Sequence, residues 1–334
     1  MSITELFTRV KEGTSGHAFA AEQLPQHHEV YLAADTSKRP CLFVRVEQWL
    51  PEPPLRTAHV SLQSSQKYCL TLADGSKHEA PFHVLCCETA EQSDVDTFLV
   101  LIEAFLTRHQ KQIITGEVLV SFFRSMVRLF SVGHARDLEG ERMGLWGELF
   151  MMSRVRGSQF WAPFWHSETT RRFDFSAPGR RVEVKTTLGA QRIHHFSHRQ
   201  IYAEGGQEIL IASLLVREED SGLSLRNLIA ECRETMVGTS YFLKLERAIR
   251  SAGMENPSEM GPVFDPAEAE RNLAWFRSTD APHFRMPEPP GVSETRYKVD
   301  LSTAPRLELQ EVDVWLDSWV VESPPELVSS RPDW

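Results

Sequence analysis

The chain has 334 residues, of which 41% are hydrophobic and 25% are charged, and its formal net charge is −10. This composition can build one large domain or two, and the acidic total argues against a protein that coats nucleic acid over its whole surface, although a local basic site remains compatible with it. The sequence holds no apolar run of the roughly 18–20 residues that span a bilayer, and the polar N-terminus lacks a signal-peptide core. We therefore expect a cytoplasmic protein with no membrane partner.

Residues 1–90 are predicted to form a β-rich N-terminal domain. β-branched and aromatic residues dominate 29–35 and 41–50, and 67–88 has the pattern of a hairpin around an Asp-Gly turn. The cysteines form no Cys-x-x-Cys pair and are predicted to be reduced, buried thiols: Cys41, Cys69, Cys86, Cys87 and Cys232.

A second domain of helices and strands is predicted over residues 91–255. Apolar residues recur at helical spacing after Ser93, which is a plausible N-cap. Further helices are predicted at 116–130, 137–155, 224–236 and 240–253, and strands at 192–197 and 208–216. Proline and acidic residues become frequent in 256–334, which we predict to be a C-terminal extension with strands and a loosely held tail.

The segment RRFDFSAPGRRVEVKTT, residues 171–187, is predicted to be a hairpin that turns at Pro178-Gly179. A hairpin centred on this turn places Asp174 opposite Glu183, with phenylalanine and valine side chains on one face and the charged side chains on the other. Carboxylates directly across a strand pair have Cβ atoms roughly 4.5–5.5 Å apart and repel each other unless a cation lies between them. Mg²⁺ is such a cation, and Lys185 would point to the same face as Glu183.

A different interpretation of this hairpin is an exposed face whose carboxylates pair with Arg172 and Lys185. The preceding helix favours the metal interpretation, because Glu148 lies on the same apolar stripe as Leu145 and Met152 and would be partly buried. Gly144 and Gly147 flank it, and glycines inside a helix indicate the close approach of another element or a break in the helix.

Together, GLWGEL, RFDFS, RVEVKTT and RIHHFSHRQI resemble the PD-(D/E)XK nuclease superfamily. More specifically, they resemble a bacterial family of PD-(D/E)XK proteins from restriction and phage-defence gene neighbourhoods. The resemblance is strongest over residues 140–236, and Phe173 stands where the motif name has proline. It implies an α+β or α/β fold with a restriction-endonuclease-like core, in which helices flank a mixed central sheet.

The resemblance also implies the parts of a catalytic site. Asp174 and Glu183 would be metal ligands, Lys185 the catalytic lysine and Glu148 a further metal carboxylate, with Gln200 as an auxiliary residue. The implied cofactor is Mg²⁺ or Mn²⁺ and the implied substrate is DNA. The implied partners are those of a defence system, namely a methyltransferase, a helicase or an ATPase, and a homodimer is compatible with the family.

Basic residues gather around the motif and are candidates for phosphate contacts, which position a nucleic-acid backbone. They are Arg171, Arg172, Arg180, Arg181, Arg192 and Arg199. A solvated cationic face would have the same composition. The aromatic cluster at 160–166 could stack on bases, but packing beside the sheet is the expectation.

Two functional hypotheses follow. The first is a metal-dependent DNA endonuclease of a restriction or anti-phage system. The second is a catalytically silent scaffold that binds DNA or protein through the same patch. Divalent-metal binding separates them, because a scaffold need not bind Mg²⁺ and would tolerate the loss of Lys185.

Overall fold

The computed structural model describes residues 2–13, 19–47, 52–110, 112–130, 138–166, 173–203, 205–256 and 259–319. The chain forms two compact units. The first unit is built on residues up to 133 together with 237–246, and the second on 134–236 and 247–330. The predicted boundaries near residues 90 and 255 stay a prediction.

The first unit is built on one sheet. Its strands are β1 (Phe19–Gln23), β2 (Val30–Ala34), β3 (Pro40–Arg45), β4 (Leu55–Arg56), β5 (Val60–Leu72) and β6 (Lys77–Cys87). The strand order is β1-β2-β3-β6-β5-β4, and β1 also pairs in parallel with β5, so that the sheet closes on itself. Tyr31, Phe43 and Phe82 pack inside it. The predicted hairpin is confirmed as β5 and β6, with Gly75 at φ +83° in the turn.

Among the described residues, three helices lie entirely in the first unit: α1 (Ile3–Gly13), α2 (Gln92–Arg108) and α3 (Gly116–Phe130). Helix α1 is absent from the strand-rich prediction, although its buried residues Ile3, Leu6, Phe7 and Val10 follow helical spacing. The predicted N-cap at Ser93 is wrong, since α2 has Glu91 as its N-cap and forms no side-chain capping hydrogen bond there. Helix α3 has the predicted bounds.

The cysteines differ from the prediction at three positions, Cys41, Cys86 and Cys69. Cys41 and Cys86 are direct partners across β3 and β6, their Cα atoms are 4.2 Å apart, and a disulfide joins them. The sequence did not predict that these two cysteines are close, because 45 residues separate them and only the pairing of β3 with β6 brings them together. Of the remaining thiols, Cys87 and Cys232 are buried as predicted, whereas Cys69 is exposed.

The second unit combines helices with a mixed sheet. Its helices are α4 (Leu138–Arg154), α5 (Ser158–Trp161), α6 (His198–Ile201), α7 (Leu225–Met236), α8 (Phe242–Ser251, which begins in the first unit), α9 (Pro266–Asn272) and α10 (Leu309–Asp317). Its strands are β7 (Phe175–Ala177), β8 (Arg180–Leu188), β9 (Ile193–Ser197), β10 (Glu208–Val216), β11 (Glu218–Ser224), β12 (Val263–Phe264), β13 (Ala274–Arg277) and β14 (Arg296–Asp300).

The central sheet has the order β13-β10-β8-β7, in which β8 and β10 are parallel and the two outer pairings are antiparallel. The continuous apolar run of β10 is buried from Ile209 to Leu214, as expected for a strand covered on both faces. A mixed sheet with flanking helices agrees with the predicted α+β architecture. Within the described ranges, no helix has the length and apolar character needed to cross a membrane.

Helix α4 packs closely against β8 because of one glycine. A Cβ atom at Gly147 would lie 1.8 Å from Oγ1 of Thr186, whereas a Cβ atom at Gly144 would meet nothing within 4 Å. The close approach predicted from the two glycines is therefore confirmed at Gly147. It brings the carboxylate-bearing face of α4 next to the hairpin of β7 and β8.

Candidate active site

The hairpin has the predicted register. Phe175 pairs with Val182, and Gly179 takes φ +72° in the turn. Asp174 lies one residue before β7, and its Oδ2 accepts a hydrogen bond from the backbone N–H of Val184 at 2.7 Å. The backbone of β8 thus fixes the carboxylate of Asp174 beside the strand that carries Glu183 and Lys185.

Glu183 is buried, with 2% of its surface exposed. Its Oε1 accepts from Nζ of Lys185 at 2.7 Å and from Nε2 of Gln200 at 2.6 Å. Its Oε2 is buried and has no hydrogen-bond partner among the described residues. Burial, reinforced by the charge of Asp174 and only partly offset by Lys185, raises the pKa of Glu183 to about 8. The alternative of an exposed, salt-bridged hairpin face does not fit Glu183, because its ion pair with Lys185 joins a buried carboxylate to a half-buried ammonium. Arg172, the other cation in that alternative, lies outside the described residues.

Lys185 lies among three carboxylates. Burial works to lower its pKa, but the charges of Glu183, Asp174 and Glu148 outweigh burial and raise the pKa above its usual value. Its ammonium also lies 5.2 Å from the centre of the Phe196 ring, within reach of a cation–π interaction. Lys185 is therefore a charged donor held at a fixed place in the site.

Glu148 reaches the same site from α4. Its Oε2 accepts a hydrogen bond from Nε1 of Trp165 at 2.6 Å. Burial and the neighbouring charge of Asp174 raise the pKa of Glu148 well above its usual value. Burial also raises the pKa of Asp174, with Lys185 acting in the opposite direction. Several carboxyls therefore compete for protons or cations within one small space.

Gln200 is oriented by the short helix α6. Its Oε1 accepts from the backbone N–H of Ser197 at 2.9 Å as part of a capping box, which leaves its Nε2 as the donor to Glu183. The structure therefore brings the five predicted site residues together: Asp174, Glu183, Lys185, Glu148 and Gln200. Their chemical roles stay a prediction.

These side chains open onto a cleft of about 350 Å³. It is lined by Gly140, Glu141, Met143, Gly144, Leu145, Glu148, His166, Asp174, Glu183, Val184, Lys185, Thr186, Gln200, Ala248, Ser251 and Ala252. The sequence analysis did not predict that Ala248, Ser251 and Ala252 line the cleft. It also did not predict that Trp165 donates a hydrogen bond to Glu148. Trp165 belongs to the aromatic cluster, which packs as expected, since Trp161 and Trp165 are fully buried. Nothing in a run of aromatic residues indicates which of them donates to a carboxylate.

The candidate arginines take different positions. Arg192 is buried and donates to the carbonyl of Ser213 at 2.7 Å, so it does not offer the exposed guanidinium that a phosphate contact needs. Arg180 donates to Glu208 at 3.1 Å, and Arg181 donates to the carbonyl of Arg180 at 2.6 Å. Arg199 is exposed and lies 3.6 Å from Glu288. Two further candidates lie outside the described residues, namely Arg171 and Arg172.

The donor set suits a hard divalent cation. In the described part of the chain, no three or more His, Cys, Asp and Glu side chains already stand together as a complete ligand cluster. Asp174, Glu183 and Glu148 nevertheless supply carboxylate oxygens, the ligands that Mg²⁺ and Mn²⁺ prefer. Oε2 of Glu183 is buried without a hydrogen-bond partner among the described residues. A cation bound to this oxygen would offset the free-energy cost of burying it.

A helix carboxylate, an aspartate beside a hairpin and a Glu-x-Lys strand on a mixed sheet have the arrangement predicted for a PD-(D/E)XK site. Residues 4–302 match the family model described as "Putative PD-(D/E)XK family member (DUF4420)", and the chain belongs to this family. Membership indicates a nuclease-like function, and PD-(D/E)XK nucleases generally use divalent metals such as Mg²⁺ or Mn²⁺. No curated protein and no solved structure matches the chain.

Proposed function

We propose that this chain is a metal-dependent nuclease that hydrolyses phosphodiester bonds of DNA. The observation that carries the proposal is the environment of Glu183. Its Oε2 is buried without a hydrogen-bond partner in the described residues, in a cleft shared with Asp174, Glu148 and a charged Lys185. A buried carboxylate in this state needs either a proton or a cation, and a divalent metal would also relieve the repulsion between the carboxylates.

Asp174, Glu183 and Glu148 would hold Mg²⁺ or Mn²⁺. When bound, the metal supplies Lewis acidity, which polarises a phosphate oxygen and lowers the pKa of water. Lys185 keeps its proton, because the neighbouring carboxylates raise its pKa, and it donates to a phosphate oxygen as negative charge develops. Gln200 and Trp165 hold Glu183 and Glu148 in place through their hydrogen bonds.

The wider setting is part of the proposal and depends on the family resemblance. We place the nuclease in a bacterial restriction or anti-phage system in the cytoplasm, with a methyltransferase, a helicase or an ATPase as partner. Because the chain carries a net charge of −10, we expect weak binding to bulk DNA and specificity that depends on those partners.

Cleavage of supercoiled plasmid by the purified chain tests the proposal. The reactions contain Mg²⁺, Mn²⁺ or EDTA and compare the unaltered chain with Asp174→Ala and Lys185→Ala. We expect metal-dependent nicking that drops at least about 100-fold in both variants, which is the usual scale for losing a positioned proton donor or a metal ligand. Lys77→Ala is the matched control, because Lys77 is exposed in the other unit.

Calorimetric titration of Mn²⁺ into the chain adds a readout that does not depend on turnover. We expect binding by the unaltered chain and its loss in Asp174→Ala. Cleavage that persists unchanged in both site variants would place the activity elsewhere. Absence of both metal binding and cleavage would favour the scaffold hypothesis.

A further inference from the structure

A short strand beside the candidate site contacts the central sheet through its side chains. In the described part of the chain, β9 pairs only with β14, and these two strands form a sheet separate from β13-β10-β8-β7. β9 nevertheless carries Phe196, whose ring centre lies 5.2 Å from Nζ of Lys185. Helix α6 follows β9 directly and carries Gln200, whose Nε2 donates to Glu183 at 2.6 Å. The place where β9 docks on the sheet therefore decides two contacts of the site.

Ser213 of β10 is the point on the sheet where two side chains meet, one from β9 and one from the residue before it. Ser213 is fully buried and is the direct partner of Lys185 across the parallel pair of β8 and β10. Its Oγ lies 2.7 Å from Nε2 of His194 and accepts from the guanidinium of Arg192 at 2.9 Å. Arg192 also donates to the carbonyl of Ser213 at 2.7 Å. This network joins β9 to the strand next to the one that carries Lys185.

The direction of the bond between Ser213 and His194 follows from the chemistry of the three groups. A guanidinium only donates, so Oγ of Ser213 accepts from Arg192 and still has one hydrogen of its own to give. Within the described ranges, Nε2 of His194 is the acceptor that this hydrogen reaches. Burial, together with the charges of Lys185 and Arg192, lowers the pKa of His194 to about 4, so the imidazole is neutral at neutral pH. His194 therefore accepts at Nε2 and carries its hydrogen on Nδ1.

The two inner side chains of β9 act on neighbouring places of the sheet. His194 and Phe196 are both buried and lie two residues apart on one strand, so they point to the same side. His194 contacts Ser213, and Phe196 contacts the cross-strand partner Lys185. Apolar packing of Phe196 buries area without a preferred direction, whereas a hydrogen bond has a preferred distance and angle. The bond between His194 and Ser213 thus fixes how β9 lies on the sheet.

We propose that His194 and Ser213 are positioning residues of the candidate active site. Their mutual hydrogen bond fixes β9 and α6, so that Phe196 and Gln200 meet the Glu-x-Lys strand. This role rests on the proposed nuclease function and adds to it two residues that do not line the cleft. Loss of such outer contacts typically costs about 10–100-fold in metal affinity or activity.

Three substitutions separate the hydrogen bond from the volume of the side chains. His194→Leu keeps a similar volume but removes the acceptor, and Ser213→Ala removes the donor. His194→Gln is the conservative variant, because its amide oxygen can accept a hydrogen bond in place of the ring nitrogen.

Ser125→Ala is the matched control. Ser125 is buried in the first unit, and its Oγ donates to the carbonyl of Ser121 at 3.1 Å and accepts from Arg128 at 3.2 Å. This variant loses hydrogen bonds of the same kind as Ser213→Ala does. It should lower stability and leave the site unchanged.

The first readout needs neither metal nor turnover. In nuclear magnetic resonance spectra of the isotopically labelled chain in EDTA, the side-chain amide signals of Gln200 are assigned by their loss in Gln200→Ala. We expect these signals to shift in His194→Leu and Ser213→Ala and to stay in place in His194→Gln and Ser125→Ala. Signals of Gln200 that stay in place in both disruptive variants would overturn the proposal.

The second readout is the rate of plasmid nicking with Mn²⁺ over a range of substrate concentrations. In His194→Leu and Ser213→Ala we expect kcat to fall about 10–100-fold while KM changes less than about two-fold, because misplaced groups lose transition-state contacts more than substrate binding. His194→Gln should restore kcat. An unchanged kcat in variants whose Gln200 signals have shifted would overturn the positioning role.

The positioning role and the proposed function can fail separately. Cleavage that persists unchanged in His194→Leu and Ser213→Ala would keep the nuclease and remove the positioning role. Absence of cleavage by the unaltered chain would remove the nuclease, and the Gln200 signals would then decide by themselves whether His194 and Ser213 fix the side chain that contacts Glu183.

Discussion

The decisive residue of the site is Glu183, since its carboxylate is placed where neither its neighbours nor solvent fully compensate its charge. Lys185 and Gln200 both donate to Oε1, and Oε2 lies buried with no partner in the described ranges. The metal-free protein can avoid the free-energy cost of a buried, uncompensated carboxylate by keeping a proton on Glu183. Proton binding and metal binding should therefore compete at Glu183.

This competition predicts how stability depends on pH. The pKa of Glu183 rises from a usual 4.5 to about 8 in the folded protein, so between these values the folded chain holds a proton that the unfolded chain releases. Stability of the metal-free protein should fall as pH rises through this window. Glu183→Gln removes the titrating group and with it this loss of stability at high pH. The variant should therefore melt a few degrees higher than the unaltered chain at pH 8, since one kcal/mol of stability corresponds to roughly 2–4 °C.

Thermal melts in EDTA at several pH values between 5 and 9 would measure the effect. The difference between the variant and the unaltered chain reports the titration of Glu183 together with the change it causes in Glu148 and Lys185, whose pKa values depend on its charge. A difference that does not change with pH would show that Glu183 titrates normally in the fold.

Trp165 is predicted to be a positioning residue for Glu148. Trp165→Phe keeps an aromatic side chain but replaces the indole with a smaller ring and removes the N–H that donates to Oε2 of Glu148, which leaves a buried acceptor without its donor. We expect a loss of about 1–3 kcal/mol in the free energy of unfolding, measured by urea denaturation. Trp315→Phe is the matched control, because its Nε1 donates at 2.7 Å to Glu208, whose exposed carboxylate can bind water instead. Equal losses in the two variants would contradict the special position of Trp165.

At the scale of elements, the contact of α4 with β8 decides whether Glu148 reaches the site. Gly147 permits this contact, since a Cβ atom would overlap Oγ1 of Thr186. Gly147→Ala should therefore destabilise the protein by about 1–3 kcal/mol. Gly144→Ala, one turn earlier and in open space, should be neutral or stabilising by up to about 1 kcal/mol through helix propensity. Denaturant unfolding of the pair would show the contrast, and similar effects at both positions would argue against close packing at Gly147.

Local signals made several elements predictable. Pro178-Gly179 set the register of β7 and β8, and the apolar run of β10 identified a buried strand with the observed bounds. The burial of Arg192 was not predictable in this way, because its partner Ser213 lies on β10, 21 residues away, and the two come together only in the folded chain. The spacing of Ile3, Leu6 and Phe7 did carry the signal of α1, which the strand-rich composition around it obscured.

At the scale of the whole molecule, the disulfide between Cys41 and Cys86 crosses the sheet of the first unit. The bridge spans 45 residues and should stabilise the oxidised, purified protein by about 2–4 kcal/mol. In a reducing cytoplasm the two thiols would be free and this contribution would be absent. We expect dithiothreitol to lower the melting temperature of the unaltered chain and to have no such effect on a variant with Cys41→Ala and Cys86→Ala. Cys69→Ser, at the exposed free thiol, should behave as the unaltered chain does. Equal melting temperatures with and without reductant would show that the bridge contributes nothing.

The parallel pairing of β1 with β5 has a consequence for how the chain folds. Phe19 pairs with Leu70, so the ring of strands closes only after a long intervening segment has been synthesised and ordered. Loop-closure entropy makes such a contact late and slow compared with the β5–β6 hairpin. Until β1 docks, the edges of β2 and β5 remain unpaired, and unpaired edges recruit other chains. Removing residues 2–23 should leave a first unit that begins to fold at the hairpin but aggregates through these two open edges.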